Sequence, residues 1–400
     1  MDFSANNAIV VAGSAIAAAI LFRPRLRHAK MWTATVTPLA SIIGSGFLVL
    51  APLLDRSFGV AAGPMMLALC IAAYLFGWAI RHNIMCHDRV EQLPVAIVTL
   101  ERLSSAALAF AYVISVTYYL NLFGSFGVKL TVFDEPVFGR GLTTAVLAFI
   151  GGFGVIKGLK GLEKLETWAV SLKLAIIFGL LAGLFVYFGE QAYDGALKQP
   201  PIGVTGWPAV TLAFGMIITV QGFETSRYLG SEYTARERVR SMRWAQWLAT
   251  AIYVVYVSLT SFLFDPTAIK TSETAVIDMS RVIATVLPVM LVAAALAAQF
   301  SAAIADTMGC GGMTEDVSHR RIRESWAYVG VAIIGIAITW VADIFEIIAL
   351  ASRAFAIYYF LQCAVAVVFA WSEGRRFKAG GFAALFALGV LIVLFGRVVE

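Results

Sequence analysis

Residues 37–54 read TPLASIIGSGFLVLAPLL. The stretch is long enough to cross a bilayer, yet it carries Gly44-Ser45-Gly46 near its middle. Glycine loses the most backbone entropy on entering a helix, so this triplet weakens a lone span without return. At membrane depth, irregular backbone is tolerated only inside protein or along a water-filled cavity. Two readings follow. The small residues let helices pack closely, or the helix is broken and its half-helix ends offer N–H and C=O groups to a ligand. A second interrupted stretch, Gly215–Glu224 (GMIITVQGFE), favours the break.

The composition sets the environment. Of 400 residues, 60% are hydrophobic and 14% charged, against roughly 25% charged in a soluble domain. The reading is a polytopic membrane protein in the lipid bilayer, with no room for a soluble domain. The net charge of +5 comes from short loops and does not imply a nucleic-acid partner. Cys70, Cys86, Cys310, Cys363 and the four histidines show no metal or redox spacing. No phosphate-binding glycine loop or nucleophile–base set occurs, so neither an enzyme nor a cofactor is expected. The first apolar stretch is followed, not preceded, by Arg23, Arg25, Arg27 and Lys30, the reverse of a secretory signal.

About twelve stretches are long enough to span, from 5–22 to 380–397, with 94–128 read as one tilted helix. Basic clusters alternate with acidic loops. Arg23–Lys30, Arg81 and Arg89, Lys157–Lys164, Arg236–Arg243, Arg320–Arg323 and Arg375–Lys378 follow the odd-numbered spans. Asp55, Asp134, Glu190, Asp265, Asp343 and Glu346 are assigned to the intervening loops. The positive-inside rule then puts the basic loops in the cytoplasm and both termini outside, in the cytoplasmic (inner) membrane. The broken helices are spans two and seven. They lie an odd number of spans apart and cross in opposite directions, as an inverted repeat of five helices requires. The expected organisation is an extra helix and basic loop over 1–31, repeats over 32–188 and 208–371, and a further helix over 380–400.

Gly44, Ser45 and Gly46 would leave N–H groups at a half-helix N-terminus, which suits a carboxylate. Carbonyls around Thr219, Val220 and Gln221, beside Gly222, would accept from an ammonium. Gln221 either contacts substrate or bridges the break to a neighbour. Glu224, an acid inside a span, is a functional candidate by default; it takes a proton or holds the broken helix as a gate. Lys173 either snorkels to the interface or acts inside. Asp306 shares a helix face with Ala302 and is a partner for Lys173, a cation ligand or an interfacial acid. Arg353 holds a substrate carboxylate or locks an outer gate through Asp343 or Glu346. Glu101 is read as solvated charge.

SIIGSGFLVLAPLLDRSFGVAAGP (41–64), VQGFETSRYLGSEY (220–233) and GLKGLEKLETWAVSLKLAIIFGLLAG (158–183) resemble the first, sixth and fourth-to-fifth core helices of amino-acid permeases in the amino acid–polyamine–organocation (APC) superfamily. LPVAIVTLERLSSAALAFAYVISVTYYLN (93–121) and AAQFSAAIADTMGCGGMTED (297–316) resemble the sodium/solute symporter family of the same superfamily. The resemblance implies an all-α fold of the leucine-transporter type, a five-plus-five inverted repeat with core helices one and six unwound. It implies a secondary active transporter of a small-molecule substrate, an amino acid or related amine or carboxylate, with proton coupling. It further implies that Lys173 takes the place of sodium between core helices one and eight, where Ser301-Ala302 lacks one of two paired hydroxyls. Sodium symport is the alternative, and a non-transporting ligand sensor the alternative of another class.

The orientation is directly testable. Epitope tags at either terminus should be reached by antibody on intact spheroplasts. Labelling of both ends only after permeabilisation would contradict twelve spans with outside termini.

Overall fold

The computed structural model describes residues 3–44, 46–90, 92–159, 164–265 and 272–398. Ser45 and Lys160 lie outside the described residues.

The chain is built from α1 (Phe3–Leu21), α2 (Pro24–Arg27), α3 (Lys30–Ile42), α4 (Gly46–Phe58), α5 (Ala62–His87), α6 (Val95–Val128), α7 (Pro136–Lys157) and α8 (Lys164–Tyr193). It continues as α9 (Gly206–Gly215), two 3-10 segments (Ile217–Val220 and Phe223–Tyr228), α10 (Ala235–Leu263), α11 (Ala275–Ile283), α12 (Leu287–Val317), α13 (Glu324–Val341), α14 (Ile344–Ser372) and α15 (Arg376–Phe395). Nine of the described helical runs are long and apolar enough to cross a membrane. One of the nine, Gly46–His87, takes in α4 as well as α5. The expected twelve requires α4 to be grouped with α3 across the first break, and α1 and the α9–3-10 run to be read as crossings too.

Both breaks fall where the sequence places them. α3 ends at Ile42 and α4 begins at Gly46. α9 ends at Gly215, and the chain turns at Gly222, whose φ of +113° is a left-handed value that favours glycine. The stretch 94–128 is the single helix α6.

Packing follows a regular offset. α5 packs on α10, α6 on α12 and α7 on α13, each helix meeting the one five spans further along. The broken spans obey the same offset, with α3 against Phe223–Tyr228 and α4 against Ile217–Val220. This is the five-plus-five arrangement, and it places the two breaks against each other in the interior. α8 and α14 brace the bundle, with α1 packed on α8 and α15 on α14.

Two assignments, Asp55 and Glu101, need correction, and the acids Asp343 and Glu346 gain a structural role. Asp55 is not a loop acid; it is buried within α4. Asp343 and Glu346 form a capping box at the start of α14, where the Asp343 carboxylate accepts from the Phe345 and Glu346 amides. They serve the orphan N–H groups of that helix end. Glu101 is not solvated, as described below.

Candidate functional site

A break inside a membrane protein frees backbone donors and acceptors that water cannot reach. Side chains from three other helices take them up. Ser352 of α14 donates to the Gly215 carbonyl (2.6 Å) and accepts from the Ile218 amide (3.2 Å), so one hydroxyl serves both sides of the second break. The Tyr253 hydroxyl of α10 sits 2.8 Å from the Ile42 carbonyl and 2.9 Å from the Thr219 carbonyl. Its one proton is shared between the two breaks. Glu224 Oε2 accepts from the Gly222 amide (3.0 Å) and the Tyr359 hydroxyl (3.1 Å). Lys173 of α8 donates from Nζ to the Ala40 carbonyl at 2.9 Å, in the last turn of α3.

The glycines are where the breaks touch. A Cβ on Gly46 would lie 2.8 Å from the Thr219 backbone. A Cβ on Gly222 would lie 2.5–2.6 Å from Ser41 and the Ile42 amide. The two breaks are thus pressed together through bare backbone. The hollow beside Gly44, Phe47 and Gln299 is only ≈ 10 Å³, about one water.

A second cavity, of ≈ 80 Å³, lies on the α3 side of the breaks. Its polar lining is Thr37, Ser41, Lys173, Thr225, Ser301 and Asp306, with Ala302 among the apolar residues. Ligand pockets for small organic molecules run to roughly 300–1,000 Å³, so this space suits protons, waters or a small ion. Lys173 is 5% exposed and Asp306 is 5% exposed. The Ser115 hydroxyl of α6 donates to Asp306 Oδ2. The lysine does not snorkel; its ammonium is inside, in one cavity with a carboxylate. A larger cleft of ≈ 640 Å³ between α1, α8 and α11 touches no break residue, and the convergent polar chemistry outweighs its size.

At the second break, Gln221 donates from Nε2 to the Tyr119 hydroxyl at 2.8 Å. Thr219 and Val220 are buried in the 3-10 turn before it. Two acceptors remain. Gln221 Oε1 and Glu224 Oε1 are buried without a hydrogen-bond partner among the described residues. Such groups cost on the order of 1–3 kcal/mol each unless a donor arrives.

Beyond the breaks on the same side lies a network that the sequence does not reveal. Glu101 of α6 accepts from Arg227 (2.7 Å) and pairs with His87 of α5 (2.9 Å). Gln362 of α14 bonds Glu101 (3.2 Å), Ser104 (2.7 Å), Asn83 (3.0 Å) and Arg227. These contacts clamp α5, α6, α14 and the segment Phe223–Tyr228 together. Arg353, by contrast, bonds the Gly396 carbonyl after α15, with Nε at 3.1 Å. The lock expected between Arg353 and Asp343 or Glu346 is not formed.

Comparison with known proteins adds three findings. A family model described as APC superfamily transporter matches residues 24–396. An uncharacterized protein of Aquifex aeolicus (strain VF5) is 40% identical over 385 residues, covering 94% of this chain and 93% of that one. Among solved structures, the Eremococcus coleocola manganese transporter, in complex with an aromatic bis-isothiourea substituted compound, is similar at a TM-score of 0.56 and 15% identity. That match covers 91% of this chain and 86% of the other. A mutant of the same transporter matches at a TM-score of 0.54 and 15% identity, over 92% and 84% of the two chains.

The contact between the breaks makes a stability prediction. Gly222→Ala must shift the end of α3 and adopt a strained φ, at a cost of about 1–3 kcal/mol. Tyr253→Phe loses one proton shared by two carbonyls, about 1 kcal/mol. Both should lower the melting temperature in detergent, Gly222→Ala by more. An unchanged melting temperature for Gly222→Ala would contradict the tight contact.

Proposed function

The chain belongs to the APC superfamily of transporters, and from that premise we propose that it moves a small amino acid, or a related amine or carboxylate, together with a proton by alternating access. The observation that carries the coupling is the Lys173 ammonium on the Ala40 carbonyl, in one cavity with Asp306 and Ser301. A hard cation needs several oxygen ligands. This cavity supplies hydroxyls and one carboxylate but also a fixed positive charge. A sodium ion about 4 Å from that charge would be repelled by roughly 4 kcal/mol at an effective dielectric of 20. Ala302 removes a further oxygen. Sodium symport is therefore the weaker reading.

The charge also offers a way to link protonation to movement. Lys173 holds the last turn of α3, and α3 ends at the first break. Loss of the proton weakens a charge-assisted hydrogen bond and removes a positive charge from the cavity that Asp306 shares. Either change loosens α3 against α8 and α12.

For the cargo, support comes from both breaks. The unpartnered acceptors Gln221 Oε1 and Glu224 Oε1 fit an ammonium group, and Gly46 at the start of α4 fits a carboxylate. Substrate entry then requires the breaks to part, because they cover one another here. We assign the Glu101–Arg227–His87–Gln362 cluster as the gate on the basic-loop side, with that side facing the cytoplasm. A manganese cargo, as carried by the similar solved transporter, would call for several oxygen donors. Among the described break residues the one carboxylate is Glu224, and its Oε2 is already held by Gly222 and Tyr359.

A thermal-shift screen of amino acids, amines and carboxylates supplies the cargo, and Lys173 variants then test the coupling. Lys173→Ala should lose proton-driven accumulation in proteoliposomes. Lys173→Arg should also lose it, because arginine keeps its proton. Accumulation by Lys173→Arg at the wild-type rate, at equal reconstituted protein, would remove the lysine from coupling.

A further inference from the structure

Away from the breaks, His82 and Cys86 stand four residues apart on one face of α5, near its C-terminal end. Glu373, which follows the last residue of α14, reaches the same spot. Cys86 Sγ lies 3.6 Å from His82 Nε2, 3.9 Å from His82 Nδ1 and 3.6 Å from Glu373 Oε1. The three ligand atoms all lie within 4.8 Å of one another.

The sulfur distances fit thiol hydrogen bonds and are also compatible with a metal polyhedron. With Zn–S near 2.3 Å and Zn–N or Zn–O near 2.0–2.1 Å, a tetrahedral site has S···N and S···O edges of about 3.5 Å. Both observed sulfur edges match. The third edge, between His82 and Glu373, is within 4.8 Å, longer than an ideal edge, so one side chain must move to complete the site. A thiolate, an imidazole and a carboxylate form a borderline-soft set, suited to zinc rather than to magnesium or calcium.

The supporting contacts are also in place. The His82 ring stacks on Phe382 of α15 at 5.1 Å, which limits its rotation. The other Glu373 oxygen, Oε2, pairs with Arg375 at 3.1 Å, which fixes the carboxylate. Glu373 is 28% exposed at its side chain, giving a route in from the surface, while Cys86 is buried. Arg89, Arg375 and Lys378 lie within electrostatic reach of His82. Against that positive surround, the thiolate and carboxylate supply the two negative charges that would neutralise one divalent ion.

We propose that His82, Cys86 and Glu373 form a zinc-class metal site with a water as fourth ligand, which ties the end of α14 to α5. The site is separate from the breaks and independent of the cargo.

Cobalt(II) is the probe, added to tag-free protein in detergent, with zinc as competitor. The wild type should bind cobalt stoichiometrically, with a sulfur-to-cobalt charge-transfer band and intense tetrahedral d–d bands that zinc abolishes. Cys86→Ser should lose the charge-transfer band. His82→Ala and Glu373→Gln, which keep the thiol, should each weaken cobalt binding at least tenfold. Zinc should raise the melting temperature of the wild type and not of Cys86→Ser. Melting in chelator alone shows whether each variant is folded. Absence of a saturable band overturns the site. So does a band that persists in Cys86→Ser, which would then arise from Cys70, Cys310 or Cys363. If Cys86→Ser does not fold, unchanged cobalt affinity in both His82→Ala and Glu373→Gln overturns it equally.

Discussion

The structure depends on one constraint: the backbone groups freed at two helix breaks must find partners without water. An unpaired amide or carbonyl in this setting costs on the order of several kcal/mol. Two such breaks would be prohibitive unless other helices supplied donors and acceptors. α8 supplies the Lys173 ammonium, α10 the Tyr253 hydroxyl and α14 the Ser352 and Tyr359 hydroxyls. The arrangement of the bundle follows, because these helices must surround the breaks at hydrogen-bond distance. The same requirement explains the glycines. Gly46 and Gly222 let the breaks approach so closely that Tyr253 reaches carbonyls of both.

On the proposed coupling, partners of this kind also make the breaks responsive. A helix end held by an apolar contact has no chemical handle. One held by an ammonium in a cavity shared with a carboxylate changes its hold when a proton moves. Lys173 acts at the end of α3, Tyr253 joins α3 to the second break, and Glu224 closes the turn that leads to Arg227. Arg227 in turn belongs to the Glu101 network across α5, α6 and α14. Cavity, breaks and network are therefore joined by polar contacts and short stretches of backbone through an otherwise apolar interior.

How much of this was legible depended on how local the signal was. Glycine and proline act on their own residue, so both breaks and the packing offset of five spans were readable from the chain. A charged residue in an apolar run is equally conspicuous, and Lys173, Glu224 and Asp306 stood out. Their partners did not. Tyr253 and Ser352 lie in ordinary apolar helices, and their partners are backbone carbonyls 211 and 137 residues away. Glu101 resembled an interfacial charge until α5 and the segment Phe223–Tyr228 closed over it. The approach of Cys86 to Glu373, 287 positions along the chain, was likewise hidden. Arg353 misled for the opposite reason, since nearby acids in sequence were already used in capping α14.

The claim that a fixed ammonium stands where a metal cation would otherwise sit is tested most directly by the cation dependence of uptake. The amino acid found by thermal shift is offered to wild-type proteoliposomes under a constant pH gradient, with external sodium replaced stepwise by choline. The account predicts an initial rate independent of sodium and abolished when the pH gradient is collapsed by a protonophore. A rate that rises steeply with sodium and survives the protonophore would contradict it.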